Sequence, residues 1–133
     1  MNAYLLDTNA LLWISFDRSM MRSGTSELLF QAPLFVSAIS AVEIAIKAAI
    51  GKLTLPPPFE TDFENAFRVL LQRSDIDLLP LDLAAIARLR HLPLHHRDPF
   101  DRLIIAQALT SGLVIATRDS AFDAYAGLDI LKV

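Results

Sequence analysis

Short apolar segments alternate with longer amphipathic segments along this chain. The apolar segments fall at residues 3–6, 34–36, 76–79 and 113–116, and a weaker one lies at 128–131. Each is a nearly continuous apolar run, as is typical of a strand buried on both faces of a parallel sheet. The sequence therefore predicts an α/β protein with a central parallel sheet of four to five strands and helices on both of its faces.

The segments between these strands carry helical signals. From the spacing of apolar residues and from Gly and Pro at the ends, we expect helices at about 10–14, 23–32, 39–50, 62–72, 83–92 and 98–111. The clearest apolar stripe consists of Ile39, Val42, Ile46 and Ile50. Three prolines in the segment 52–58 predict a stiff loop, not a domain boundary. The length of 133 residues suits one domain.

Composition narrows the class of protein. The chain has no cysteine, which excludes disulfides and thiolate metal sites. It has no apolar run near the roughly 18 residues of a membrane span and no basic stretch or cleavage site of a secretory signal at its N-terminus. We therefore expect a cytoplasmic protein without a membrane partner.

The distribution of charge bears on possible substrates. A net charge of −3 argues against binding of nucleic acid by bulk electrostatics. Basic residues are nevertheless concentrated between positions 88 and 118, namely Arg88, Arg90, Arg97, Arg102 and Arg118 with His91, His95 and His96. A local basic rim around an acidic centre would suit a polyanionic substrate.

Carboxylates follow the predicted strands at one edge of the sheet. Asp7 comes directly after the first strand, Glu43 lies early in the helix after the second, and Asp119 stands just past the fourth. Asp98 and Asp101 open the helix that leads into that fourth strand. Open parallel sheets bind ligands beyond the carboxyl ends of their strands, so we expect these acidic residues to lie close together.

Several of these residues also have a purely structural interpretation. Asp7 and Asp98 stand where helix N-caps are expected. For Glu43, the segment Ser40 to Glu43 fits a capping box, and Glu43 with Lys47 fits a surface ion pair. These interpretations explain single residues but not why they share one edge of the sheet.

A divalent cation would explain the shared position, because clustered carboxylates repel one another unless something neutralises them. A set of oxygen ligands without cysteine suits Mg²⁺ or Mn²⁺ and not zinc. The histidines His91, His95 and His96 have no recognised zinc spacing, so we expect them at the surface or in contact with substrate.

Four motifs together carry a family resemblance. They are Leu6 to Trp13, Ser37 to Ser40 with Glu43 and Ile44, Arg97 to Arg102 with Ile105 and Ala106, and Ala116 to Asp119. In this order and spacing the chain resembles the PIN-domain nucleases, and specifically the toxin component of VapBC-type (type II) toxin–antitoxin pairs. The resemblance spans nearly the whole chain and implies a single PIN domain over residues 1–133 with a PIN-like three-layer α/β/α fold.

The resemblance also implies a function and a set of site residues. It implies an endoribonuclease that depends on Mg²⁺ or Mn²⁺, forms a homodimer, is neutralised by a cognate antitoxin, and meets DNA only through that antitoxin. The acidic quartet of the family corresponds to Asp7, Glu43, Asp101 and Asp119. Asp98 is an additional acidic residue, and whether Asp98 or Asp101 reaches the metal stays open, with Asp101 favoured.

Further residues are candidates for contacts around the quartet. Asn9 and Thr117 would place waters or contact the substrate phosphate, while Arg97, Arg102 and Arg118 would draw RNA towards the acidic site. Two other functions remain as alternatives: a catalytically silent binding module with an ion at its acidic edge, and a DNA-directed nuclease of similar fold.

Overall fold

Five short strands form one parallel sheet in the computed structural model, which describes residues 2–133. The strands are β1 (Tyr4–Leu6), β2 (Leu34–Ser37), β3 (Ile76–Leu79), β4 (Val114–Thr117) and β5 (Ile130–Lys132). Their order across the sheet is β3-β2-β1-β4-β5, so β1 is central and Tyr4 pairs with Leu34 on one side and Val114 on the other. The parallel sheet predicted from the apolar segments is confirmed.

Helices cover both faces of this sheet. They are α1 (Thr8–Phe16), α2 (Thr25–Phe30), α3 (Ala38–Ala49), α4 (Pro57–Thr61), α5 (Phe63–Ser74), α6 (Leu83–His91) and α7 (Pro99–Ser111), with short 3-10 helices at Arg18–Met20 and Ser120–Ala124. Successive strand residues point to opposite faces: Leu6 packs in one apolar core and Leu5 in the other. These two cores give the predicted three-layer α/β/α arrangement. Within the described residues, no helix is both long and apolar enough to cross a membrane.

The strand order places a crevice beside the central strand. From β1 the chain moves through β2 to β3 at one edge of the sheet, and later crosses β1 to continue as β4 and β5 on the other side. The order therefore reverses between β1 and β4. In open parallel sheets this reversal, at the carboxyl ends of the strands, is the usual position of a ligand site.

The helix α7 begins and ends where the sequence predicted. Asp98 is its N-cap and accepts a hydrogen bond of 2.9 Å from the backbone N–H of Phe100, followed by Pro99 as the first helical residue. Gly112 ends the helix in the left-handed region at φ 67°, which glycine adopts without a steric penalty.

The start of α3 differs from the capping box that Ser40 and Glu43 were expected to form. Its N-cap is Ser37, whose hydroxyl accepts a 2.9 Å hydrogen bond from the backbone N–H of Ile39. The capping-box interpretation was therefore wrong, because the helix begins directly where β2 ends and Ser40 already lies within the first turn.

The apolar stripe of α3 also faces mostly away from the core. Val42, Ile46 and Ile50 are exposed, whereas Ser40, Glu43 and Ile44 are buried. The helix thus presents two polar side chains to the interior. This inversion of the usual pattern places Glu43 at the carboxyl edge of the sheet, beside α1.

Candidate metal centre at the carboxyl edge of the sheet

Asp7 is fixed at the carboxyl ends of β1 and β4. It follows β1 and is the N-cap of α1, where its Oδ1 accepts a 2.7 Å hydrogen bond from the N–H of Ala10. Its Oδ2 accepts a 2.5 Å hydrogen bond from the hydroxyl of Thr117 at the end of β4. Burial, with only 6% of the residue exposed, raises the pKa of Asp7 above its ordinary value despite these two hydrogen bonds.

Thr117 connects Asp7 with a second acidic residue. Its Oγ1 donates to Asp7 and accepts a 3.0 Å hydrogen bond from the backbone N–H of Asp119. The Asp119 carboxylate in turn accepts from the N–H of Ala121 at 2.9 Å. Partial burial opposes the effect, but the hydrogen bonds from Ala121 and from His96 hold the pKa of Asp119 below its ordinary value. Asp119 is therefore present as a carboxylate at neutral pH.

Glu43 is buried between two hydrogen-bonding side chains. Its Oε1 accepts a 2.7 Å hydrogen bond from Thr8 Oγ1, and its Oε2 lies 2.5 Å from Lys47 Nζ. The hydroxyls of Thr8 and Ser40 are hydrogen-bonded to each other at 3.0 Å. The predicted pair of Glu43 with Lys47 is confirmed, but Glu43 is only 4% exposed and is not a surface residue. The hydrogen bond to Glu43 raises the pKa of Lys47, so Lys47 carries its positive charge at neutral pH.

Asp101 lies one turn after Asp98 inside the acidic region. Burial and then the charge of Asp98 raise the pKa of Asp101 to about 7, and the charges of Asp7 and Glu43 act in the same direction. Asp98 itself caps α7. One of its carboxylate oxygens, Oδ1, thus holds the start of the helix.

His96 brings two of the carboxylates together, and sequence reasoning missed this. Its Nε2 lies 2.9 Å from Asp119 Oδ2 and 3.0 Å from Asp101 Oδ2, and one ligand atom from each of the three residues lies within 4.8 Å of the other two. We had expected His96 at the surface or against substrate. The available signal was its position two residues before the Asp98 cap, on the loop that leads to the carboxyl edge.

Two of the candidate arginines are engaged in contacts with the protein's own backbone. Arg102 donates to the carbonyls of Pro93 at 2.9 Å and Leu92 at 3.2 Å. Arg118 donates to the carbonyl of Val133 at 3.0 Å and to that of Met20, and its guanidinium lies 4.3 Å from the centroid of the Trp13 ring. Both arginines thus fix loops around the site.

Two other candidates for substrate contact are solvent-exposed. Arg97 lies on the loop between His96 and the Asp98 cap, and Asn9 lies in the first turn of α1, two residues after Asp7. Both side chains are therefore free to meet a molecule that approaches the carboxyl edge, whereas Thr117 lies beneath that edge and is fully buried.

The residues at this edge fit a hard divalent cation. Carboxylate oxygens of Asp7, Asp101 and Asp119 come from three separate segments, and the charge of Glu43 acts on both Asp7 and Asp101. The chain has no cysteine. Burial is the largest cause of the raised pKa of Asp101, and the charge of Asp98 is the second; a cation would offset that repulsion between carboxylates. Oxygen donors of this kind suit Mg²⁺ or Mn²⁺.

Solved structures with a similar fold include three complexes from bacteria. VapBC2 from Rickettsia felis, bound to a DNA fragment from its promoter, matches with a TM-score of 0.73 at 15% identity over 97% of each chain. DNA-bound VapBC from Salmonella typhimurium matches with a TM-score of 0.71 at 20% identity over 98% of each chain. VapBC-5 from Mycobacterium tuberculosis matches with a TM-score of 0.64 at 19% identity over 100% of each chain.

The family follows from the sequence itself. No curated protein matches the chain. The sequence model of the PIN domain, however, matches residues 4–128, which include Asp7, Glu43, Asp101 and Asp119 and the four strands β1 to β4. The predicted PIN fold is confirmed, and the chain belongs to the PIN-domain family.

Proposed function

We propose that the chain is a metal-dependent endoribonuclease and the toxin of a type II toxin–antitoxin pair. The observation that carries this proposal is the convergence of Asp7, Glu43, Asp101 and Asp119 at one edge of a PIN-family sheet. Asp7, Asp101 and Asp119 would hold Mg²⁺ or Mn²⁺. A cation held there would stabilise negative charge on a phosphodiester and make a nearby water molecule more acidic.

The protein side chains would position the parts of the reaction. Glu43, fixed by Thr8 and Lys47, would hold a second cation or accept a hydrogen bond from the attacking water and orient it. Thr117 would keep Asp7 and Asp119 in place through its two hydrogen bonds. Asn9 and Arg97 are exposed and would contact the substrate phosphates.

The basic residues near the site would serve in two ways. We propose that Arg97 draws the RNA backbone towards the acidic edge, since its charge offsets the repulsion between phosphates and carboxylates. Arg102 and Arg118 would act mainly by fixing the loops that they bind, and any contact with RNA would use donors that the backbone carbonyls leave free.

The similar structures support the proposed partners. VapBC-5 belongs to a family of toxin–antitoxin systems, and two of the similar complexes are bound to DNA. We propose that this chain, acting as a single PIN domain, forms a homodimer, binds a cognate antitoxin that blocks the acidic edge, and meets DNA only through that antitoxin. Cleavage of cellular RNA would place the protein in the cytoplasm.

The test is cleavage of total cellular RNA by the antitoxin-free protein with Mg²⁺, Mn²⁺ or EDTA, beside an Asp7→Asn variant. Asparagine is as good an N-cap as aspartate, so α1 is preserved while the carboxylate is lost. Asp77→Asn, which removes an exposed carboxylate on β3, is the matched control. We expect discrete fragments that require metal, survive Asp77→Asn and disappear in Asp7→Asn.

Two results would contradict the proposal. Cleavage that is unaffected by Asp7→Asn would mean that the site is elsewhere or that another nuclease is present. A folded protein that binds Mn²⁺ but cleaves no RNA would point instead to a silent binding module, and cleavage of duplex DNA alone would point to a DNA-directed nuclease.

A further inference from the structure

The imidazole of His96 lies between two carboxylates that are proposed to hold the cation. Its Nε2 is within hydrogen-bond distance of Oδ2 of both Asp101 and Asp119, at 3.0 Å and 2.9 Å. The side chain of His96 is only 14% exposed. The ring is therefore part of the site, although it belongs to none of the four acidic motif positions.

The backbone of Asp98 decides which nitrogen of His96 carries the proton. The N–H of Asp98 lies 3.2 Å from Nδ1 of His96. Since a backbone N–H can only donate, Nδ1 must accept and holds no proton. The proton of the neutral ring is then on Nε2. That N–H donates to Oδ2 of Asp119, and Oδ2 of Asp101 lies 3.0 Å from the same nitrogen.

This tautomer makes His96 a hydrogen-bond donor and not a metal ligand. A histidine that binds a metal through one nitrogen uses the lone pair of that nitrogen and donates from the other. Here the arrangement is reversed: Nε2, which faces the carboxylates, carries the proton, and Nδ1 is occupied as an acceptor.

Several contacts hold the ring in this position. The backbone N–H of His96 donates to Tyr125 Oη at 2.9 Å, and the imidazole ring packs edge-on against Phe122 with 5.5 Å between ring centroids. Arg102 fixes the carbonyls of Leu92 and Pro93 at the start of the same loop. These contacts restrict the position of His96.

We propose that His96 holds Asp101 and Asp119 together in the metal-free protein and gives way when a cation binds, so that it is a positioning residue that lowers the affinity for metal. The positive end of its N–H dipole and a cation would both face the same carboxylate oxygens. Binding of the cation would therefore weaken the hydrogen bond from His96, and the hydrogen bond would weaken binding of the cation. This inference rests on the proposed metal site.

The experiment is a titration of the full-length protein with Mn²⁺, followed by calorimetry, with no RNA present. His96→Leu removes the donor but keeps an apolar side chain against Phe122. We expect it to bind Mn²⁺ about tenfold more tightly, because hydrogen bonds to charged groups are lost only from the metal-free state. His96→Gln, whose amide nitrogen can donate from nearly the same position as Nε2, should restore an affinity close to that of the wild type.

A matched control and a second measurement separate this role from a merely structural one. His95→Leu changes the neighbouring histidine, which packs on Tyr125 with 5.0 Å between ring centroids and is exposed, and it should leave the affinity for Mn²⁺ unchanged. The Tm of His96→Leu should fall in EDTA and recover in saturating Mn²⁺, because the cation replaces the lost donor.

The outcomes are distinct. Weaker binding of Mn²⁺ by His96→Leu would show that His96 is a ligand or only supports the fold, and unchanged binding would show that it does not compete with the cation; either result overturns the inference. If the wild-type protein binds no Mn²⁺, the metal site itself is wrong and the inference fails with it. RNA cleavage that is lost while the Mn²⁺ affinities follow the expected order would leave the inference in place and contradict only the proposed activity.

Discussion

The hydroxyl of Thr117 donates a 2.5 Å hydrogen bond to Oδ2 of Asp7, between residues that are 110 positions apart in the chain. Asp7 follows β1 and Thr117 ends β4, and the two strands are neighbours in the sheet. The strand order therefore determines that this pair forms. Through the N–H of Asp119, Thr117 also fixes the start of the loop that carries a second carboxylate.

Replacement of Thr117 by valine should weaken metal binding while keeping the shape of the core. Both Asp7 and the N–H of Asp119 would lose a buried partner, so the orientation of two carboxylates would be less restricted. We expect the affinity for Mn²⁺ and the RNA-cleaving activity to fall by about 10- to 100-fold, as is usual when the partner of a metal ligand is removed. Calorimetry with Mn²⁺ and initial rates of cleavage would measure this.

Two variants test whether the hydroxyl is the cause. Thr117→Ser retains the hydroxyl and should recover most of the affinity. Thr110→Val removes a hydroxyl that donates within α7 to the carbonyl of Ala106, and it should leave the affinity unchanged. An Mn²⁺ affinity in Thr117→Val equal to that of the wild type would show that Thr117 does not orient the site.

The stability of the metal-free protein should fall as the pH rises from about 4 to about 7. Burial and the charge of Asp98 raise the pKa of Asp101 from an ordinary 3.8 to about 7. Between these values the folded protein keeps a proton that the unfolded chain has released, so rising pH favours unfolding. Burial also raises the pKa of Asp7, which lowers the stability in the same direction as the pH rises. The lowered pKa of Asp119 increases the stability with rising pH, but only below about pH 4 and therefore outside this range.

The Tm measured in EDTA across this pH range would test the contribution of Asp101. Asp101→Asn cannot titrate, so its Tm should depend less steeply on pH than that of the wild type, while the exposed Asp77→Asn control should keep the wild-type slope. Mn²⁺ should reverse the trend, because the cation competes with the proton for Asp101 and binds more tightly up to about pH 7. Equal slopes in Asp101→Asn and the wild type would contradict the assignment.

Local signals were sufficient to predict most elements of this fold. The strand β3 and the start and end of α7 lie where apolar runs, the Asp98 cap and Gly112 placed them. Such features depend on interactions within a few residues. The short helix α4 lies partly in the segment 52–58 that we expected to be a stiff loop, because a proline is also favourable in the first turn of a helix.

The side chains of the site were harder to predict than its backbone. The four carboxylates could be assigned to one edge because parallel strands end together, but the direction of α3 could not be read from its apolar stripe, which faces largely outwards. The role of His96 depends on contacts with Asp119 and Tyr125, 23 and 29 residues away. Interactions of this range leave no periodic signal in the sequence.

The ion pair of Glu43 and Lys47 should contribute more to stability than an exposed pair of the same i, i+4 spacing on a helix. Replacement of Lys47 by methionine would remove the ion pair and leave the buried Glu43 carboxylate with its hydrogen bond from the hydroxyl of Thr8. Loss of one partner from a buried pair is strongly destabilising, but the Lys47 side chain is 45% exposed, so we expect a loss of about 1–2 kcal/mol at pH 7. Urea unfolding monitored by circular dichroism would measure it.

The chain contains a matched pair for comparison. Arg68 and Glu64 have the same spacing on α5, and Nη2 of Arg68 lies 2.8 Å from Oε2 of Glu64, but both side chains are exposed. Arg68→Met should therefore cost only about 0.3–0.5 kcal/mol. In a double-mutant cycle, Glu43→Gln should remove most of the penalty of Lys47→Met, since no buried charge then remains unpaired. If Lys47→Met lowers the free energy of unfolding no more than Arg68→Met does, the burial of Glu43 has no effect on the strength of its ion pair. That result would also argue against a role of Lys47 in positioning the Glu43 carboxylate at the site.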